Sequence, residues 1–133
     1  MSQENVELVR GAFHVLAVEG VDASLAFFSP ECVWYTTDRW VDGSAYHGHD
    51  GIRKLDTAFA ENFDDWRFEV RDLRDAGDQV VALTEMVGRI RGSTSSVSQQ
   101  VGFVISDFRG GTMGTIRAFG TWADALNAAG MPE

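Results

Sequence analysis

Apolar residues recur at spacings of three and four near the start of the chain and at every second position later, so the pattern predicts helices followed by strands. Val6, Val9, Phe13 and Leu16 give residues 3–18 a helical stripe, with Ser2 as N-cap and Gly20 as its end. Residues 22–28 predict a short second helix, capped by Asp22 and stopped at Ser29-Pro30. Residues 32–37 follow as a short strand, and residues 38–51 as an irregular stretch rich in Gly, Asp and His. A third helix over 50–62 carries Ile52, Leu55 and Phe59 on one face. Four strands come next, at about 66–73, 79–91, 97–108 and 113–122, separated by turns at Gly77-Asp78, Gly92-Ser93 and Gly110-Gly111. Thr121-Trp122-Ala123-Asp124 reads as a capping box opening a last helix that Gly130 ends.

Helices set before a strand meander indicate an α+β domain rather than a βαβ series. Glycines at 88, 102, 114 and 120 fall inside strands and imply bulges and strong curvature. A two-residue turn at Gly110-Gly111 fixes a register in which Phe108 faces Met113, Ile105 faces Ile116, Phe103 faces Ala118 and Val101 faces Gly120. One face then carries Gln99, Val101, Phe103, Ile105, Ile116, Ala118 and Trp122, and it is expected to meet the helices and line an apolar pocket. The other carries Gln100, Val104, Ser106, Thr115, Arg117, Phe119 and Thr121, and suits a dimer interface or a half-solvated surface.

The 133 residues fit one domain, with 44% hydrophobic and 23% charged residues and a net charge of −9. That charge argues against nucleic acid and anionic membranes as partners. Cys32 stands alone, so no intrachain disulfide forms, and it reads as a buried structural thiol. No apolar run reaches the roughly 20 residues of a membrane span, and the first residues lack a signal-peptide layout. A cytoplasmic location is the expectation. No Walker loop, dinucleotide fingerprint, Cys-x-x-Cys or Gly-x-Ser-x-Gly is present, and no cofactor is expected.

Three segments carry a family resemblance: Phe28-Ser29-Pro30-Glu31-Cys32-Val33-Trp34, Tyr46-His47-Gly48-His49-Asp50-Gly51-Ile52, and residues 119–130. In their order and spacing the chain resembles the SnoaL-like polyketide cyclases and ketosteroid isomerase relatives of the nuclear transport factor 2-like superfamily. The resemblance implies a cone-shaped α+β barrel, its curved antiparallel sheet wrapped by three to four helices around a deep pocket. It also implies a homodimer formed through the outer sheet face. The family holds isomerases, cyclases, hydrolases, dehydratases and binding proteins, so fold does not decide function. Isomerase chemistry needs a carboxylate base, a tyrosine and a neutral acid, and the handling of those groups is a known pattern of acid–base tuning. By resemblance the tyrosine falls at Phe13, the acid at Phe103 or Val104, and the base near Thr36 with Asp38 close by. Phe13 and Phe103 have no proton to donate, so steroid isomerisation is not expected.

Asp38 is the candidate general base, set after an aromatic strand at the expected pocket mouth, although a solvated loop carboxylate fits the same position. Tyr35 and Trp34 point to opposite sides; Tyr35 offers a hydroxyl, and Trp34 suits the core. His47 is a candidate acid or base. His47 and His49 with nearby carboxylates lack a third ligand of diagnostic spacing, so no metal site is expected. Gln99 is a candidate polar contact, and Phe13, Trp34, Trp66, Val101, Phe103, Ile116 and Trp122 are candidate ligand-lining residues. The functional expectation is a cofactor-independent enzyme acting on a small hydrophobic, carbonyl-bearing or polyketide-like molecule, with residues 38–51 as a lid. A non-catalytic ligand carrier and a dimeric interaction module whose cavity is filled by its own side chains remain open alternatives.

Overall fold

The computed structural model describes residues 2–37 and 45–132. Element α1 (Ser2–Glu19) is followed by α2 (Val21–Ser24), a 3-10 turn (Leu25–Phe27) and β1 (Phe28–Tyr35). Then come β2 (Ala45–His47), α3 (Gly48–Asn62), β3 (Phe63–Asp75), β4 (Val80–Ile90), β5 (Ser96–Ser106), β6 (Met113–Phe119) and α4 (Trp122–Ala128). The six strands form one curved, open sheet in the order β2-β1-β6-β5-β4-β3. All pairings are antiparallel except β1 with β6, which is parallel and makes the sheet mixed.

The expected register of the last hairpin is observed, with Phe103 opposite Ala118 and Ile105 opposite Ile116. Two local expectations differ. Ser29-Pro30 does not stop a helix but lies within β1, where the pairing to β6 jumps between Phe28 and Val33. A proline has no N–H for the ladder, and this irregular stretch asks none of it. Residues 45–47, read as loop, pair with Val33, Trp34 and Tyr35 as β2. Three residues are too few to show an alternation of their own.

The inner face of the sheet is covered by α1 and α3. Val6, Val9, Ala12 and Phe13 of α1 and Ile52, Leu55 and Phe59 of α3 are buried against Phe68, Met86, Val101, Phe103, Ile105 and Ile116. Cys32 is fully buried in this cluster, and burial pushes its thiol above the ordinary value. Curvature comes partly from β3, whose pairing with β4 shifts between Asp64 and Arg67 and again between Val70 and Asp72. Gly88 faces the first shift, where an added Cβ would stand 3.1 Å from the Trp66 Cα.

The outer face holds a second cluster of Val81, Leu83 and Val104 beneath Ala125 and Leu126 of α4. Gly102 makes this docking possible, because an added Cβ would approach the Ala125 Cβ to 2.5 Å and the Thr121 carbonyl to 3.1 Å. The N-cap that the sequence predicts is formed: the Asp124 amide donates to Thr121 Oγ1 at 3.1 Å. Gly130, at φ 73°, closes the helix, with the Met131 amide donating to the Leu126 carbonyl. Trp122 therefore belongs to the outer cluster rather than the inner face. Its indole N–H donates to the Thr84 carbonyl at 2.7 Å, and its amide donates to Gln100 Oε1. The strand alternation that assigned it inward ends at Phe119, so parity no longer fixes its side.

Candidate functional site

The space expected to be a deep apolar pocket is filled by aromatic rings. Phe103 meets Phe68 edge-on at 5.1 Å, Trp34 at 5.2 Å and Phe13 at 5.4 Å between ring centres. Phe59 stacks on Trp66 at 4.7 Å, and Phe59 and Trp66 each meet Phe68 edge-on at 5.8 Å. Offset and edge contacts of this kind are favourable beyond their burial. What stays empty is a void of about 10 Å³ by Phe13, Phe28, Trp34 and Ile116 and another of about 20 Å³ by Trp34, Phe59, Trp66 and Asp56. Each has room for about one water, against the roughly 300–1,000 Å³ of a small-molecule site. The interior formed by the described residues is a core rather than a chamber.

Larger clefts lie between α1 and β3. One cleft of about 300 Å³ is lined by Arg10, Phe13, His14, Ala17, Arg67, Phe68, Glu69 and Val70. A second, of about 370 Å³, is lined by residues 16–21 together with Asp56, Trp66 and Arg67. Ala17 and Arg67 are walls of both, so the two form one groove along α1. The small side chain of Ala17 leaves width opposite Arg67, while Phe13, Phe68 and Trp66 turn an edge outward as an apolar floor.

Asp56 joins this groove to the interior, since it lines both the outer cleft and the small void behind it. It is half-buried, and its carboxylate has no hydrogen-bond or ion-pair partner among the described residues. Burial raises its pKa above the ordinary value, and the negative charge of Asp22 raises it further. The neighbouring cation, Arg53, is engaged by Asp22 at 3.1 Å and Asp50 at 3.2 Å. An unpaired carboxyl with a raised pKa beside an apolar surface has the chemistry of a general acid or base.

Sequence reasoning missed Asp56, yet a signal was present. It stands four residues after Ile52 and three before Phe59, at the edge of the apolar stripe of α3 rather than on its solvated side.

The other end of the groove is cationic. Arg10 pairs loosely with Glu7 at 3.5 Å, and both side chains are 57% exposed. Arg67 donates to Glu69 at 2.6 Å, and Arg71 joins that carboxylate at 2.8 Å while also reaching Glu85. The Arg67 hydrogen bond, helped by Arg71, holds the Glu69 carboxyl below its ordinary value.

The residues singled out from sequence are dispersed. Phe13 and Trp66 line the groove, while Trp34, Val101, Phe103 and Ile116 are buried in the core. Tyr35 is 44% exposed and points away from the core, opposite to Trp34 as alternation requires. His47 is exposed at the end of β2, just before α3. Gln99, expected as a buried amide, is exposed, although its cross-strand partner Met86 is fully buried. His49 is structural, its Nε2 lying 2.8 Å from the Phe28 carbonyl. Asp38 lies outside the described residues, as does the first half of the expected lid, residues 38–44, while residues 45–51 form β2 and the start of α3. Among the described residues no group of His, Cys, Asp and Glu is arranged to hold a metal ion, and no helix is long and apolar enough to cross a membrane.

The architecture matches known proteins over nearly its full length. An NTF2-like protein of unknown function from Burkholderia pseudomallei K96243 superposes with a TM-score of 0.77 at 18% identity, covering 93% of this chain and 95% of that one. A putative SnoaL-like polyketide cyclase from Jannaschia sp. CCS1 gives a TM-score of 0.74 at 18% identity, covering 99% and 95%. A hypothetical protein with a ketosteroid isomerase-like fold from Catenulispora acidiphila DSM 44928, solved with trimethylamine, gives 0.74 at 15% identity, covering 95% and 94%. At such identities the likeness is one of fold alone. No curated protein matches the sequence. The SnoaL-like domain family model matches residues 9–114, and on that match the chain belongs to the SnoaL-like domain family.

Proposed function

We propose that this chain is a cofactor-independent acid–base enzyme for a small hydrophobic, carbonyl-bearing molecule, with Asp56 as its proton-transfer residue. The observation that carries this reading is the unpaired, half-buried Asp56 carboxyl, raised in pKa and lining the junction of groove and core. As base, its carboxylate takes a proton from the carbon beside the carbonyl. The C–H electron pair becomes the C=C bond of an enolate, and the carbonyl π pair moves to oxygen. Return of the proton to another carbon gives isomerisation. Attack of the enolate carbon on a second carbonyl gives ring closure. Phe13 and Phe103 offer no donor to the developing oxyanion.

The test is hydrogen–deuterium exchange at the carbons beside the carbonyl of 2-tetralone in D2O, followed by proton NMR. The wild-type chain is expected to exceed the buffer rate and Asp56→Asn to fall back to it. Equal rates for the two proteins, or a wild-type rate no greater than buffer, would contradict the reading. Asp38→Asn in the same assay tests the second carboxylate named from sequence.

A second reading rests on the filled interior: a non-catalytic, homodimeric module. It expects a dimer by light scattering and no exchange above buffer.

A further inference from the structure

The groove between α1 and β3 is polarised along its length, and this bears on what it accepts. The formal charge of the chain is −9, yet the part of the groove lined by Arg10, His14 and Arg67 includes a single carboxylate, Glu69. That carboxylate is already held by two guanidiniums, those of Arg67 and Arg71. The other end is acidic on balance, with Asp56 and Glu19 on its walls and Arg67 shared between the two ends. Between them runs the apolar floor of Phe13 and Phe68, and Val18, 69% exposed, stands at the far end as the most exposed large apolar side chain among the described residues. From Arg10 to Glu19 the helix advances about 14 Å.

We infer that the groove binds an anionic amphiphile: a carboxylate at Arg10 and Arg67, an apolar body across Phe13, Phe68 and Ala17, and a neutral carbonyl towards Asp56. This rests on the reading of Asp56 as the acid–base group and adds the substrate class. A carboxylate is planar, and a guanidinium meets it through two parallel hydrogen bonds. The acidic end repels the same group, so the ligand enters in one orientation. A neutral carbonyl suits the Asp56 end, because it brings no charge for Asp56 and Glu19 to repel. Neither arginine is tied up in the core: their side chains are 57% and 47% exposed, so replacing them leaves the packing intact.

The experiment titrates 1-naphthoate and its methyl ester into the full chain, reading amide shifts by NMR. Naphthoate is expected to shift the amides of Arg10, Ala17 and Arg67. The double variant Arg10→Gln, Arg67→Gln is expected to weaken it by about tenfold, the scale of one good charge-assisted contact, and to leave the ester within about twofold. Naphthoate affinity should also fall as salt is raised. Asp56→Asn is expected to keep naphthoate affinity within about twofold while abolishing 2-tetralone exchange. Equal losses of acid and ester in the double variant, or no naphthoate shifts in the groove, would overturn the inference while leaving the exchange result to stand. Retention of 2-tetralone exchange by Asp56→Asn, with charge selectivity intact, would overturn the acid–base reading instead.

Discussion

The packed interior and the groove beside it share Phe13, Phe68 and Trp66 as walls, but they are built to different rules. Inside, the fully buried rings pack on one another, and the wholly buried Thr84 Oγ1 donates to the Val101 carbonyl at 2.8 Å. In the groove, Asp56 is left without a partner among the described residues, and Arg10 of α1 and Arg67 of β3 line the same cleft. A fold free to optimise stability alone would not keep an unpaired carboxyl at the edge of its core. Under the proposed function the interior supplies stability and the groove chemistry, and substitutions on each side should separate the two.

The largest effect is expected inside. Phe103→Ala removes a ring that is 1% exposed and touches Phe13, Trp34 and Phe68. It should cost about 3–5 kcal/mol in denaturant unfolding; a cost below about 1 kcal/mol would mean the interior is loose enough to admit a ligand. Next is Gly102→Ala on the outer face, where the new methyl meets the Ala125 Cβ and the Thr121 carbonyl. It should cost about 1–3 kcal/mol and shift the Trp122 fluorescence as α4 lifts. Thr121→Ala removes the cap of α4 and should cost about 1 kcal/mol.

The smallest effect has the opposite sign. Burial disfavours the charged Asp56 in the folded state, so between its ordinary and its raised pKa the folded chain binds the extra proton. Stability therefore falls as pH rises through that window. Asp56→Asn should raise Tm above the window, by no more than about 2 °C because a half-exposed group is screened by solvent. Below the ordinary value, where the wild-type side chain is protonated in both states, the gain should vanish.

Much of this was legible in the residues. The stripe Val6, Val9, Phe13 and Leu16 gives α1, and Gly110-Gly111 fixes the β5–β6 register to the residue. What alternation cannot carry is the side a chain takes once a strand has ended. Trp122 shows this, since its place depends on α4 crossing to the outer face over Gly102. The parallel β1–β6 pairing was also hidden, because it joins segments distant in sequence with no turn between them. The pocket was misjudged for a related reason. Period-two patterning says that Val101 and Phe103 face inward, not whether the rings they meet leave room. Asp56 went unseen because one acid at the edge of an amphipathic helix reads as solvated until the neighbouring elements bury it.

The account turns on Asp56, and carbon-detected NMR titration of its carboxyl in the intact chain tests it most directly. The midpoint should lie above the ordinary aspartate value of about 3.9, and the assigned resonance should disappear in Asp56→Asn. A midpoint at or below that value would mean a solvated surface acid, and the groove would lose its claim to chemistry.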